Sequence, residues 1–256
     1  MTKRQKFVIS SLILTSGFIS LQFLDTSFRY QAIGGLTLLS TLLTLWSLKE
    51  GLGRNSTLLV LILPTLFTAG VGFFYFLLPP TLFIAIPVLM LYSLGIYALL
   101  LTSNIYTVAA ARTIALLRAA HAVGFLLTLL TSFLLFDTLF SLRSYFWANG
   151  VAASLVSFPL LLQGFWSIDL ERKLGREVLL LGAVFALVTG EIATVLSFWP
   201  VTVAVGSLAL TTVMYMGLGL GQAKLQQRLF PKTIKEYFLV GAIVFVTMFL
   251  TARWGG

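Results

Sequence analysis

Long apolar blocks separated by short polar breaks constrain this chain more than any other feature of its sequence. The blocks run for about sixteen to twenty-three residues, and a helix of roughly 20 residues crosses about 30 Å of hydrocarbon. Open sheets cannot satisfy their backbone polar groups in lipid, and the sequence lacks the alternating pattern of a transmembrane barrel strand. The sequence therefore predicts an all-α protein, built as a polytopic bundle of transmembrane helices.

The blocks predict about nine spans in a single integral membrane domain that covers residues 1–256. Charged residues make up only 10% of the chain, against roughly 25% in soluble domains, so little chain remains for structure outside the bilayer. The last span is the weakest, and without it the protein has eight. The predicted spans are 7–24, 32–48, 57–78, 81–102, 119–136, 146–166, 178–198, 201–221 and 237–252.

Lysine and arginine residues are distributed unevenly over the predicted loops. With the N-terminus in the cytoplasm, fourteen of the seventeen cations lie in inner segments, and Arg29, Arg143 and Arg253 lie in outer ones. The positive-inside rule predicts this asymmetry, and the opposite orientation would invert it. We therefore expect a multi-pass cell-membrane protein with a cytoplasmic N-terminus and, where the ninth span crosses, an external C-terminus. The net charge of +9 then reflects topology rather than a nucleic-acid partner.

Glu191 is the one acid that this map places inside the hydrocarbon, near the middle of span 178–198. A charge at that depth is costly, so such residues usually face an interior cavity or a partner. One interpretation is a proton or cation site, or a ligand for a headgroup or a substrate amine. The other is a structural hydrogen bond that a protonated carboxyl makes to another helix. The outer acids Asp25 and Asp137 are isolated in short connections.

Two inner segments, 103–118 and 222–236, combine cations with apolar residues. Their pattern fits helices that lie in the headgroup region with cations towards anionic lipid, although a solvated basic loop has the same composition. Membrane lipids with anionic headgroups at the inner face are therefore expected partners. The candidate headgroup-binding residues are Arg112, Arg118, His121, Lys224 and Arg228.

Gly217 and Gly221 form a G-x-x-x-G pair in span 201–221, a spacing that allows close approach of helices. We interpret the pair as a helix-packing site. Packing of this kind is compatible with membrane-protein partners or a homo-oligomer. The sequence does not choose between these two.

The sequence also limits the chemistry that the chain can perform. With no cysteine and one histidine, it lacks the ligands of common zinc sites. It contains neither the G-x-S-x-G motif nor a phosphate-binding loop with its lysine. No catalytic residue, metal site or cofactor is predicted, and a non-enzymatic protein is favoured.

Two functions remain. The first is a small-solute or ion carrier or channel, or a membrane-complex subunit, with an intramembrane carboxylate at Glu191. The alternative is an intramembrane enzyme that acts on a lipid or polyprenyl-phosphate substrate at the cytoplasmic face, where Arg112, Arg118 and His121 would bind the headgroup.

Overall fold

The computed structural model describes residues 2–21, 28–49, 57–79, 81–109, 115–170 and 174–252. Within these ranges the chain forms nine helices and no strand, one helix for each predicted span. The all-α prediction is therefore confirmed. The helices are α1 (Lys3–Ser20), α2 (Arg29–Leu48), α3 (Thr57–Tyr75), α4 (Leu82–Ala109), α5 (Leu117–Ser141), α6 (Phe146–Asp169), α7 (Arg176–Leu196), α8 (Val203–Leu225) and α9 (Pro231–Thr251).

Seven of these helices, α2 and α4 to α9, are long and apolar enough to cross a membrane. The apolar part of α3, Leu59–Tyr75, is shorter, and α1 begins with cations at Lys3, Arg4 and Lys6. The last helix, α9, has 21 residues and a mean hydropathy of 1.7. The span that the sequence predicts to be the weakest is thus long enough to cross. A multi-pass membrane protein is supported.

The contacts divide the described residues into two compact units. The first unit contains α1 to α4 and the start of α5. Within it α1 packs on α2 and α4, and α3 packs on the same two helices. Buried hydroxyl groups join these helices: Ser10 bonds Ser47 at 2.8 Å, and Thr68 donates to Ser40 at 2.9 Å. Side-chain hydrogen bonds of this kind are typical contacts between helices in lipid.

The second unit contains the end of α5 together with α6 to α9. Helices α6, α7 and α8 pack against one another, and α9 packs on α8. The closest packing joins α6 to α7 at two glycines, because a Cβ on Gly190 would lie 2.6 Å from the carbonyl oxygen of Gly150. The prediction that residues 1–256 form a single domain is not tested by this division and stays a prediction.

Several helix boundaries differ from the sequence-based map. Helix α4 continues to Ala109, and α8 ends at Leu225 before α9 begins at Pro231. Of the two interpretations of segment 222–236, the structure does not show one helix in the headgroup region. The segment contains the end of α8, a turn and the start of α9. Pro231 begins α9, where its missing N–H costs nothing, rather than ending a helix. Helix α5 continues to Ser141, and this extension moves Asp137 from the predicted loop into a helix.

Candidate functional site

Glu191 is exposed on the outer surface of α7 and does not face the interior of its unit. Small residues recur every four positions at Gly182, Ala186 and Gly190, and they are buried. Successive helical residues are rotated by about 100°, so Glu191 points away from the side of α7 that packs on α6. Of the two surroundings expected for this carboxyl, an interior cavity or a partner, the structure does not show the first.

Apolar side chains surround Glu191 on this exposed side of α7. We call the set Leu180, Val184, Leu187, Glu191 and Val195 the Glu191 face. Its four apolar members are between 52% and 61% exposed, as side chains in contact with lipid are. Glu191 is thus a single acid in an otherwise apolar, outward-facing stripe.

The depth of Glu191 also differs from the sequence-based map. It lies five residues before Leu196, the last residue of α7, a distance of about 8 Å along the helix axis. The carboxyl is therefore nearer one end of the span than its middle. Because side chains tilt towards the N-terminus of their helix, the carboxyl is directed away from this nearer end and back towards the hydrocarbon.

Asp137 is the buried acid of the second unit. It is only 8% exposed, and its side chain forms a hydrogen bond with Ser207 of α8. The Ser207 hydroxyl also lies 2.8 Å from the carbonyl oxygen of Val203. A hydroxyl has one hydrogen to donate, so it satisfies one of these two oxygens at a time. Asp137, which the sequence map places in an outer connection, is thus buried, whereas Glu191 is exposed.

A polar cavity of about 610 Å³ opens in the second unit, where α5 and α7 end and α6 and α8 begin. We call it the Asn149 pocket. Aromatic rings form part of its wall together with polar side chains. The residues with polar side-chain groups that line it are Arg143, Ser144, Asn149, Ser197, Trp199 and Thr202.

Asn149 has a fixed orientation in this pocket. Its Nδ2 donates to the Ser197 hydroxyl at 3.0 Å, and that hydroxyl donates its single hydrogen to the carbonyl oxygen of Ala193 at 2.9 Å. Ser197 can therefore only accept from Asn149, which assigns the amide nitrogen to that side. The opposite atom, Oδ1, is buried and has no hydrogen-bond partner among the described residues. Asn149 itself is 5% exposed.

Among the described residues predicted to bind headgroups, Arg118 and His121 belong to the first unit and Lys224 and Arg228 to the second. Lys224 pairs with Glu177 of α7 at 3.4 Å, and Arg228 is exposed in the turn before α9. Arg118 is exposed at the start of α5, and the ring of His121 lies 5.9 Å from that of Tyr106. Arg112 lies outside the described residues. Headgroup binding by these side chains stays a prediction.

Gly217 and Gly221 face different neighbours. A Cβ on Gly217 would lie 3.0 Å from the ring of Phe185 in α7, and one on Gly221 would collide with the ring of Phe165 in α6. Each glycine thus makes room for an aromatic ring rather than for the backbone of a partner helix. The backbone approach occurs at Gly150 and Gly190 instead.

Sequence reasoning missed the Asn149 pocket and the α6–α7 contact, although signals for both are present. The small residues of α7 repeat every four positions, which is the same spacing that identified Gly217 and Gly221. Arg143 is one of the three cations in the predicted outer segments, and Asn149 follows it six residues later, beyond a predicted turn. No described group of three histidine, cysteine or acidic residues could hold a metal ion.

The comparisons with known proteins place nearly the whole chain in one family. Residues 9–251 match a family model described as "Protein of unknown function (DUF5656)". No curated protein and no solved structure matches the chain.

Proposed function

The chain belongs to this family, DUF5656, and we propose that it is a subunit of a membrane complex that self-associates through the Glu191 face. The observation that carries this proposal is the exposed carboxyl in the apolar stripe of α7. An acid in hydrocarbon needs a partner or water, and its cost without them is at least about 3 kcal/mol for the charged form. The partner has to come from outside the second unit, because the carboxyl points away from that unit.

A second copy of the chain supplies a suitable partner. Two protonated carboxyls can each donate and accept one hydrogen bond, so Glu191 can pair with its own counterpart. Two copies inserted in the same orientation are related by an axis along the membrane normal. Each residue then lies at the same depth as its counterpart in the other copy. Two-fold dimers are the commonest assemblies of soluble proteins. With this symmetry both copies use the same surface, so the contact ends at two copies.

The remaining surface of the Glu191 face is compatible with this contact. It carries apolar side chains on both sides of the carboxyl, so packing against a second copy buries no charged group besides Glu191. The hydrogen-bonded pair of Glu191 side chains then fixes how the two copies of α7 align with each other. Hydrogen bonds between transmembrane helices contribute about 1–2 kcal/mol in model peptides, which corresponds to roughly a tenfold change in a dissociation constant.

Cysteine cross-linking tests the proposal directly, because the chain has no cysteine of its own. Leu187→Cys and Val195→Cys lie one turn on either side of Glu191 and leave the acid in place. Oxidation in membranes should join each variant to its own copy. The control is Leu208→Cys on α8, which is 53% exposed but lies on another helix. Cross-linking of the control as efficiently as the two test positions, or monomers throughout, would overturn self-association.

Two further changes at position 191 separate a complex subunit from a proton-coupled carrier. In the Leu187→Cys background, Glu191→Gln should keep the cross-link, because paired amides also donate and accept. Glu191→Leu should weaken association by roughly tenfold. A carrier that couples transport to this proton would instead lose its activity in Glu191→Gln. If cross-links form equally well in both variants, the carboxyl does not contribute to the interface.

A further inference from the structure

We propose that the Asn149 pocket binds a small anion that carries a hydrogen-bond donor beside its anionic group, such as a hydroxylated phosphate ester. The cavity of about 610 Å³ lies within the size range of small-molecule sites. All residues that line it belong to the second unit. This inference does not depend on self-association through the Glu191 face.

The positive charge of the pocket comes from one side chain and two helix ends. Arg143 lines the cavity and is exposed, so its guanidinium is free to reach a ligand. Helices α6 and α8 both begin at the pocket, where Phe146 and Val203 form part of its wall. The first N–H groups of a helix lack partners within the helix, and the dipole favours an anion there. The anionic group of the ligand therefore belongs at this side.

The requirement for a donor comes from Asn149. Its Oδ1 is a buried acceptor without a hydrogen-bond partner among the described residues, and Asn149 is one of the residues that line the cavity. Leaving such an atom unsatisfied costs about as much as a lost hydrogen bond. Because Ser197 fixes the amide orientation, a ligand must present a hydroxyl or amine hydrogen to this oxygen. A fully deprotonated anion such as sulfate cannot do so.

The same chemistry occurs in a free phosphate ester and in the headgroup of a glycerophospholipid. The pocket lies at the end of α7, next to the predicted membrane surface, so both sources can reach it. Glycerol 3-phosphate and phosphatidylglycerol share the phosphate and the neighbouring hydroxyls. They differ in whether the anion is attached to acyl chains, which makes them a matched pair of probes.

The test measures binding to the purified full chain by calorimetry and thermal unfolding. Glycerol 3-phosphate and sulfate, a tetrahedral anion without a donor hydrogen, are titrated in neutral detergent. In parallel, the protein is reconstituted in phosphatidylcholine nanodiscs with and without phosphatidylglycerol. We expect glycerol 3-phosphate to bind more tightly than sulfate. A response to phosphatidylglycerol alone would identify the headgroup as the source, whereas no response to any probe would overturn the proposal.

Two variants test separately the part of the site that binds the anion and the part that accepts the donor hydrogen. Arg143→Gln should weaken binding of glycerol 3-phosphate and of sulfate by about tenfold, because a charged hydrogen bond is lost. Asn149→Leu should leave sulfate binding unchanged and remove the preference for glycerol 3-phosphate. The control, Arg228→Gln, removes an exposed cation from a different turn and should change neither.

The position of Arg143 keeps this test interpretable. It is exposed, so its replacement does not threaten folding even where Asn149→Leu lowers the melting temperature. Unchanged affinity in Arg143→Gln contradicts the anion site. A preference for glycerol 3-phosphate that survives in a folded Asn149→Leu protein contradicts the donor site.

Discussion

Gly190 leaves no room for a side chain between α6 and α7. A Cβ there would collide with the Ser154 hydroxyl and lie 2.6 Å from the carbonyl oxygen of Gly150. The hydroxyl can rotate away, but the carbonyl belongs to the backbone, so the two helices would have to separate. This contact also turns the neighbouring Glu191 outwards. The packing of one glycine thus determines which surface carries the acid.

Gly190→Ala should therefore destabilise the protein by about 1–3 kcal/mol, the usual cost of overpacking a tight contact. The measurement is thermal or denaturant unfolding in detergent. Gly34→Ala is the matched control, because a Cβ at this glycine of α2 meets nothing within 4 Å. Alanine is the better helix former, so the control should unfold at the same temperature or slightly higher. Equal losses in both variants would contradict the close contact.

Individual side chains were harder to predict than helices, and Glu191 and Asp137 show why. Lipid makes the outward face of a transmembrane helix as apolar as the inward one, so hydrophobic periodicity does not reveal which way a residue points. For α7 the small residues carry that information. For Asp137 the error came from the end of α5, which the sequence map places at residue 136 and the structure places at Ser141.

The end of α8 shows how a helix can stop without glycine. Gln227 has a φ of 55°, in the left-handed region. The N–H of Arg228 donates to the carbonyl of Ala223 at 2.8 Å, and that of Gln227 donates to Lys224 at 2.9 Å. This pair of bonds is the Schellman motif, in which glycine is usual at the left-handed position. Gln227 adopts this strained left-handed conformation at the turn, and α9 then begins at Pro231.

Gln227→Gly should therefore stabilise the turn by up to about 1 kcal/mol, because glycine adopts the left-handed conformation without a steric cost. Its neighbour Gln226 has a φ of −76° and provides the opposite case. Gln226→Gly should destabilise or leave stability unchanged, since glycine there only adds freedom to the unfolded chain. Unfolding midpoints of the two variants measure the difference. The same sign for both changes would argue against the left-handed turn.

At the scale of the whole molecule, the number and type of helices followed from block length alone. A helix is the element that satisfies its own backbone in lipid, and about 20 apolar residues are enough to identify it. The division of contacts into two units was not predicted, because it depends on which helices pack together. The Asn149 pocket was missed for the same reason, since its wall combines residues from separate helix ends.

Orientation is the remaining property that the sequence predicts for the whole molecule, and it can be measured because the chain has no native cysteine. Tyr145→Cys and Gln226→Cys place thiols at exposed positions in two different connections. The cation distribution predicts that residue 145 lies outside and residue 226 inside. A membrane-impermeant maleimide should therefore label Tyr145→Cys in intact cells and Gln226→Cys only after permeabilisation. The reverse labelling would invert the topology and place the Asn149 pocket on the cytoplasmic side.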